Sequence, residues 1–220
     1  YFCEYDVTGD GRDEIMLGYH FLTPDGKELW RLRAGDHQDG VHIGRLGPEE
    51  AEPLIAVTAS DEGFYLLNTD GKILKHDRIG HAQTLSVGDF LPELPGLEIA
   101  ATTKGVITRF AIYDHEGNRV LDRILEASGV VHPVPVNWTG DGRELILISR
   151  APETGVYNGN FEKVIEFPPS SPTRFGYAID LDGDGLDEIV LYDERVIAIF
   201  TRAGGEVPDE IAIPPRTIYN

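Results

Sequence analysis

Two kinds of loop in this sequence carry residue types that can do chemistry. The first kind is acidic: residues 180–188 read DLDGDGLDE, and residues 6–14 read DVTGDGRDE. Side-chain oxygens at positions 1, 3 and 5 can converge on one hard cation, because the glycines let the backbone curl around it. A carbonyl at position 7 and the glutamate at position 9 would complete the shell. A strand-like run follows at once, so the pattern predicts a β-type calcium loop and not an EF-hand.

The acidic loop recurs in weaker copies along the chain. Residues 137–143 read NWTGDGR, one residue short, while a third copy keeps only Asp89 and Glu98. The alternative is a tight turn that uses Asp and Gly for conformation alone. We expect any bound calcium to be structural. The predicted ligands are Asp6, Thr8, Asp10 and Glu14 in the first loop, Asp180, Asp182, Asp184 and Glu188 in the fifth, and Asn137 and Asp141 in the fourth.

The second kind of loop is rich in histidine. Residues 36–44 read DHQDGVHIG and residues 80–89 read GHAQTLSVGD. We take His37, Asp39, His42 and His81 as the candidate catalytic residues. Such a group can bind a metal, hold an anionic sugar or move a proton near neutral pH. The alternative is a set of hydrogen-bonded histidines that only tie neighbouring elements together.

A repeat of about 44 residues must position these loops. Hairpin-type turns contain glycines 26, 71, 117, 159 and 204, which lie 45, 46, 42 and 45 residues apart. Gly and Asn supply the positive φ that tight turns require. A second marker opens an apolar strand in each unit, at residues 15, 55, 99, 145 and 189. In phase with that marker, His42, Ser86 and His132 fall at one equivalent position, and His37 and His81 at another.

The repeat predicts an all-β fold, because each unit reads as strand, acidic loop, strand, hairpin and strand. Units of this size match the blades of a β-propeller. We expect about five blades within a larger ring, in which residues 1–220 form a single domain or a fragment of one. In a propeller the loops before the inner strands line the mouth of the central channel, where the histidines would meet. A β-sandwich is the structural alternative.

Charge limits the partners. The formal net charge is −19, with 38 acidic and 19 basic residues. Nucleic acids and anionic membrane surfaces would be repelled, whereas clustered carboxylates attract divalent cations. No apolar run approaches the roughly 20 residues that span a bilayer. The sequence has one cysteine, so no internal disulfide can form.

The two loop types together resemble those of rhamnogalacturonan lyases of polysaccharide lyase family 11. The resemblance lies in the acidic pattern from Asp180 to Ile189, the H-x-D-x-x-H-x-G pattern from His37 to Gly44, and the segment 80–98. It implies an eight-bladed, calcium-dependent, bacterial propeller that cleaves the pectin backbone by β-elimination. The third unit departs from the pattern, with Gln83 in place of an acid and Ser86 in place of His.

The resemblance therefore implies a secreted or cell-surface lyase that acts on an acidic polysaccharide with calcium as cofactor. β-Elimination beside a uronate needs a cation on the C6 carboxylate and a base for the C5 proton. The sequence has no nucleophile elbow and no phosphate-binding glycine loop, so hydrolase and kinase functions have no support. The alternative is a non-catalytic, calcium-stabilised propeller that binds carbohydrate or protein at the bacterial surface.

Overall fold

A computed structural model describes residues 1–48 and 50–202, and the regular structure of these residues is entirely β. The all-β prediction is confirmed. The strands are β1 (Phe2–Tyr5), β2 (Glu14–Leu17), β3 (His20–Leu22), β4 (Glu28–Arg31), β5 (Gly40–Gly44), β6 (Leu54–Thr58), β7 (Phe64–Asn68), β8 (Ile73–Asp77), β9 (Ala82–Gly88), β10 (Glu98–Thr103), β11 (Thr108–Tyr113), β12 (Arg119–Leu125), β13 (Pro133–Val136), β14 (Leu145–Ile148), β15 (Gly155–Tyr157), β16 (Lys163–Ile165), β17 (Phe175–Ile179), β18 (Glu188–Tyr192) and β19 (Ile197–Phe200).

Consecutive strands form five antiparallel sheets in the described part of the chain. The first four sheets have four strands each, β1–β4, β5–β8, β9–β12 and β13–β16, and the fifth has β17–β19. Within each sheet the strands follow chain order. The first strand of each sheet contacts the first strand of the next, from β1 and β5 to β13 and β17. The sheets therefore stand side by side in the order of the repeat. Among these residues there is no helix that could cross a membrane.

Apolar clusters between neighbouring sheets explain why β6 and β10, the second strands of the second and third sheets, are apolar on both faces. Ile55 and Val57 of β6 face a cluster shared with the first sheet, and Ala56 faces one shared with the third. Ile99 and Ala100 of β10 likewise face opposite neighbours. Strands covered on both faces lose the alternation of a half-exposed strand. In β17, by contrast, exposed and half-buried residues alternate.

Backbone hydrogen bonds also join successive sheets at one recurring place. The donor stands at the start of the second strand, and the acceptor follows the first strand of the preceding sheet. The three bonds run from Leu97 N to Leu46 O (2.7 Å), Glu144 N to Asp89 O (2.8 Å) and Asp187 N to Asn137 O (2.9 Å). In the second sheet the corresponding residue before Leu54 is Pro53, which has no N–H to donate.

The two tryptophans of the chain lie at different junctions between sheets. Trp30 stacks on Phe21 at 5.0 Å and donates its indole N–H to Thr69 O at 2.7 Å, which links the first sheet to the second. A Cβ at Gly71 would lie 2.6 Å from the Trp30 ring, so glycine is required there for close approach. Trp138 packs against the apolar cluster between the fourth and fifth sheets.

Four of the five predicted hairpin turns lie between strands as expected, and the fifth, at Gly204, lies outside the described residues. Glycines 26, 71 and 117 have φ values near +80°. The expectation of a positive φ is wrong at Gly159, because Phe161 takes the left-handed conformation in that turn, with φ 62°. Gly159 is needed for a different reason: a Cβ there would lie 2.2 Å from Phe90 O of the neighbouring sheet.

The antiparallel order separates the two loop types. Loops that precede a first strand, and loops between second and third strands, lie at one end of the sheets. We call this the histidine end, and it carries residues 36–39, 60–61 and 81. Loops between first and second strands lie at the opposite, acidic end, which carries residues 6–14, 89–98, 137–144 and 180–188.

Candidate functional site

Three of the four candidate catalytic residues come together at the histidine end. His37 and Asp39 precede β5, and His81 precedes β9 of the next sheet. One side-chain nitrogen or oxygen from each of the three lies within 4.8 Å of the others. We refer to these three residues as the His–Asp cluster. It is assembled across the junction of two sheets.

Ser60, which the sequence did not single out, lies at the centre of the cluster. Its hydroxyl donates to Asp39 Oδ2 at 2.5 Å and lies 3.1 Å from Nε2 of both His37 and His81. Ser60 has a φ of +48°, and its N–H and C=O both bond to Ala82 at the start of β9. Its backbone is therefore fixed to the same strand that follows His81.

Each histidine of the cluster has its own carboxylate. Asp36 Oδ1 lies 2.7 Å from His37 Nδ1, and Asp61 Oδ1 lies 2.8 Å from His81 Nδ1. A carboxylate accepts hydrogen bonds, so these contacts place a proton on Nδ1 and leave Nε2 directed at Asp39. The hydrogen bond to Asp36, with the charge of Asp39 adding to it, raises the pKa of His37 above its usual value.

Asp39 is the buried member of the cluster, with 7% of its surface exposed. Gln83 donates its amide N–H to Asp39 Oδ1 at 2.5 Å. An acid at position 83, which the family pattern would supply, would place a second carboxylate against Asp39. The amide instead donates a hydrogen bond, so Gln83 fits the charge of its neighbour.

His42 and His132 stand apart from the cluster. His42 lies within β5, on the face it shares with Ala56, and burial lowers its pKa to about 4. Ser86 occupies the same place in β9, paired with Ala100. His132 is exposed just before β13. The repeat predicted the level of these residues along the sheets, but it did not predict which strand face each would take.

An open cavity of about 640 Å³ lies against the exposed side of His37. Arg31 and Arg33 line it, and neither makes an ion pair within residues 1–48 and 50–202. Tyr19 and Gln38 also line it, and their buried side-chain polar atoms have no hydrogen-bond partner in the described structure. A cavity with free cations and unsatisfied polar groups suits an anionic, hydroxyl-rich ligand.

Lys104 adds a further cation near the cluster. Its backbone N–H donates to His81 O at 2.8 Å, and its charge opposes protonation of His37. Sequence reasoning missed Lys104, Arg31, Arg33 and Tyr19, since none of them belongs to a repeated motif. The adjacency of Asp36 to His37 was a visible signal, because a carboxylate beside a histidine often orients its ring.

At the acidic end, the first and fifth loops fold in the same way. Asp6 accepts backbone N–H bonds from Gly9 and Gly11 at 2.7 Å, and Asp180 accepts them from Gly183 at 2.7 Å and Gly185 at 2.9 Å. These bonds, above all the one from Gly11, hold the pKa of Asp6 below its usual value. Each loop therefore curls around the oxygens of its own first residue.

The fifth loop gathers a donor set that fits calcium. Asp180, Asp182 and Glu188 each place a carboxylate oxygen within 4.8 Å of the others. Glu188 also accepts the Leu181 N–H at 2.8 Å, and Glu14 accepts the Val7 N–H at 3.2 Å. The glutamate at position 9 thus ties the loop to the start of the second strand with one oxygen. Hard oxygen donors of this kind are those that calcium prefers.

In the fourth loop the predicted ligands have other partners. Asp141 accepts bonds from Arg143 Nε at 2.9 Å and from Thr139 Oγ1 at 2.6 Å. Although burial opposes the shift, these bonds lower the pKa of Asp141 to about 2. Asn137 donates its side-chain N–H to Gly185 O at 3.0 Å, in the fifth loop. A cation at Asn137 and Asp141 stays a prediction, in competition with the Arg143 guanidinium.

The third loop buries a carboxyl group that no cation offsets among the described residues. Glu98 is fully buried, and its Oε2 accepts the N–H groups of Phe90 and Leu91, both at 2.8 Å. Its other oxygen has no partner in the described structure. Burial, together with the nearby charges of Asp89 and Glu93, raises the pKa of Glu98 to about 7.

Solved structures similar to this chain include rhamnogalacturonan lyases and a biofilm matrix protein. An exotype rhamnogalacturonan lyase, YesX, superposes with a TM-score of 0.68 at 19% identity over 91% of this chain. A Bacillus licheniformis rhamnogalacturonan lyase (PL11) gives 0.65 at 20% identity over 91%. The V. cholerae biofilm matrix protein Bap1 gives 0.72 at 12% identity over 94%.

These likenesses show a shared fold. The chain spans only 36% and 35% of the two lyases and 63% of the matrix protein. No protein-family model matches the sequence. No curated protein matches it either.

Proposed function

We propose that this chain forms five successive blades of a β-propeller domain, or of part of one, that acts as a lyase on a uronate-containing polysaccharide. The observation that carries the proposal is the cavity beside the His–Asp cluster. In a chain of net charge −19, Arg31 and Arg33 line the same cavity as His37, and the charge of Lys104 acts on His37. Arginines without an ion pair in the described structure offer counter-charges for the carboxylates of a polyanionic ligand.

The chemistry of β-elimination matches the groups present. The C6 carboxylate of a uronate must be neutralised before its C5 proton becomes acidic, and Arg31 and Arg33, which line the cavity, would supply that charge. Tyr19 and Gln38 offer unsatisfied polar atoms for sugar hydroxyls. The His–Asp cluster supplies basic groups near neutral pH. His42 is neutral and buried, so we give it a packing role beside the site.

We propose that calcium binds at the acidic end as a structural ion. The first and fifth loops would hold it through Asp6, Thr8, Asp10 and Glu14, and through Asp180, Asp182, Asp184 and Glu188. The bound ion would stiffen the loops that connect first and second strands. We propose a secreted or cell-surface protein of a bacterium, because such a polysaccharide is met outside the cell.

The test is an elimination assay on the full chain. Incubation with rhamnogalacturonan and with other uronate polysaccharides, in calcium, should raise the ultraviolet absorbance of the conjugated enoate product. Replacement of His37 and His81 by Ala should abolish the rise. Arg31→Gln with Arg33→Gln should lower kcat as well as raise KM, since the arginines would offset the negative charge that grows on the C6 carboxylate in the transition state. His132→Ala, at an exposed site outside the cavity, is the matched control.

A second function is favoured by the likeness to the biofilm matrix protein. That protein shares the fold of this chain. A calcium-stabilised module that binds an acidic polysaccharide would use the same cavity. Binding that depends on Arg31 and Arg33, with no unsaturated product from any polysaccharide, would support this function and exclude the lyase.

A further inference from the structure

The histidine end has a second open cavity, at the junction of the fourth and fifth sheets. Its volume is about 370 Å³, and we call it the arginine pocket after two of the residues that line it, which are Arg150, Ala151, Thr173 and Arg174. Arg150 lies in the loop between β14 and β15, and Arg174 directly precedes β17. The same two kinds of loop bring Ser60 and His81 together in the second and third sheets. The arginine pocket is therefore the counterpart of the His–Asp cluster, further along the row of sheets.

The repeat places Arg150 at the level of residues that contact the His–Asp cluster. Counted from the strand marker of each repeat, the equivalent position holds Ser60 in the second sheet, Lys104 in the third and Arg150 in the fourth. Ser60 Oγ lies 3.1 Å from His81 Nε2, and the Lys104 N–H donates to His81 O. The third and fourth sheets therefore have cations at equivalent places, the first beside the cluster and the second beyond it.

The charge of Arg150 is not balanced by an ion pair in the part of the chain that the structure describes. Its guanidinium lies against Gly129, where a Cβ would be 3.3 Å from Nη2, so glycine in the loop before β13 gives the guanidinium its space. Arg174 lies over the Phe175 ring at 5.2 Å and pairs with Glu194. None of the four lining residues is acidic. The pocket therefore holds one unopposed guanidinium and one that is partly offset.

We propose that the arginine pocket binds a second carboxylate of the polyanionic chain whose reacting uronate occupies the cavity beside His37. A guanidinium meets a carboxylate with two parallel N–H donors, which suits arginine to this role. Carboxylates recur along a polyuronate, so one ligand can engage cations on separate sheets, and each further contact raises the overall affinity. Lys104, on the sheet between the cluster and Arg150, offers a counter-charge along the way.

The inference takes its ligand class from the proposed function, but it does not depend on elimination. A module that only binds the polysaccharide would use the arginine pocket in the same way. Binding and product formation can therefore be measured separately.

Oligogalacturonates of increasing length test the proposal by isothermal titration. The titrations use the full chain with His37→Ala, so that elimination cannot shorten the ligand. Affinity should rise once the oligomer is long enough to reach from the cavity to the arginine pocket. Arg150→Gln should lower the affinity for long oligomers by about tenfold or more, the usual loss for a hydrogen bond between charged groups, and leave that for the dimer unchanged. Arg174→Gln should act in the same direction.

Two controls separate this site from a general effect of charge or of sugar. Arg45→Gln removes one exposed positive charge after β5, at the acidic end, and should leave the affinity for every oligomer unchanged. Galactose oligomers of the same lengths have no carboxylates and should show no gain in affinity with length.

The outcomes separate the arginine pocket from the enzymatic activity. Affinity that does not grow with length, or growth that survives in both Arg150→Gln and Arg174→Gln, overturns the proposal. Equal growth for galactose oligomers, or equal loss in Arg45→Gln, overturns it as well. Arg174 is exposed, so Arg174→Gln tests the pocket even if Arg150→Gln is unstable. Length-dependent binding that needs Arg150, in a chain whose parent forms no unsaturated product, sustains the pocket and removes the lyase.

Discussion

The histidine end and the acidic end build their sites in opposite ways. At the histidine end, the polar atoms that meet come from His37, Asp39, Ser60 and His81, on two sheets, and include ring nitrogens. At the acidic end, nine consecutive residues make one loop, and all its side-chain donors are oxygens. Chain connectivity fixes the second kind of site, whereas packing between sheets fixes the first. The two ends should therefore respond to different mutations.

Calcium removal is the test of this comparison with the largest expected effect on stability. Each occupied loop should add about 2.7 kcal/mol to the free energy of unfolding at a hundredfold excess of calcium over Kd. EDTA should therefore lower the melting temperature of the parent chain. Asp180→Asn combined with Asp182→Asn should abolish the part of that response that belongs to the fifth loop, as measured by thermal melts with and without calcium.

The control for the calcium test is Asp70→Asn, which alters an exposed aspartate in a hairpin between β7 and β8. It should leave the calcium response intact. The His37→Ala variant should do so as well, because none of the predicted calcium ligands lies at the histidine end. A parent chain whose melting temperature is the same in EDTA and in calcium would mean that both loops are turns only.

The next largest effect is the pH dependence of stability that comes from Glu98, the buried glutamate of the third loop. Its pKa rises on folding from 4.5 to about 7, so the folded state holds a proton that the unfolded state has lost between those values. Stability should fall by about 3 kcal/mol as the pH rises through this window and stay level above it. Glu98→Gln should escape that loss, so its advantage over the parent should grow from pH 5 to pH 8 in urea denaturation.

The matched control for this pH effect is Glu166→Gln, which removes an exposed carboxylate. It should change the free energy of unfolding equally at both pH values. If Glu98→Gln behaves in the same way, Glu98 is ionised in the folded protein and the predicted rise of its pKa is wrong.

The smallest effect concerns the fourth loop. Arg143→Ala removes the guanidinium that pairs with Asp141, an exposed contact worth less than about 1 kcal/mol. In EDTA the variant should be slightly less stable than the parent, and calcium should restore the difference, because the ion replaces the guanidinium. If the variant stays less stable than the parent in calcium, calcium does not replace the Arg143 guanidinium beside Asp141. Denaturation curves with and without calcium measure it.

The acidic loops and the repeat could be predicted from the sequence because both depend on neighbours in the chain. Strand positions followed from apolar runs, and Gly26, Gly71 and Gly117 took the backbone conformation that their turns require. The prediction of a positive φ at Gly159 was wrong because Phe161, four residues after Tyr157, adopts the left-handed conformation instead. Gly159 is required because its backbone lies too close to Phe90 O of the neighbouring sheet for a Cβ.

The histidine end could be predicted only in part. The phase of the repeat indicated that His37 and His81 lie at the same level on adjacent sheets, and the structure brings them together. The same phase gave no account of Ser60, whose position depends on a bridge to Ala82. It also grouped His42 with the site, although alternation along β5 turns that ring into the packing between sheets.

The fluorescence of Trp30, whose indole N–H donates to Thr69 O, can report on unfolding at the junction of the first two sheets. The only other tryptophan, Trp138, lies three sheets away, against the fifth sheet. With either indole replaced by Phe, the fluorescence of the remaining one would follow solvent entry at a single seam. Comparing the two emission curves during denaturation would reveal whether the row of sheets comes apart in one concerted event or peels from one side.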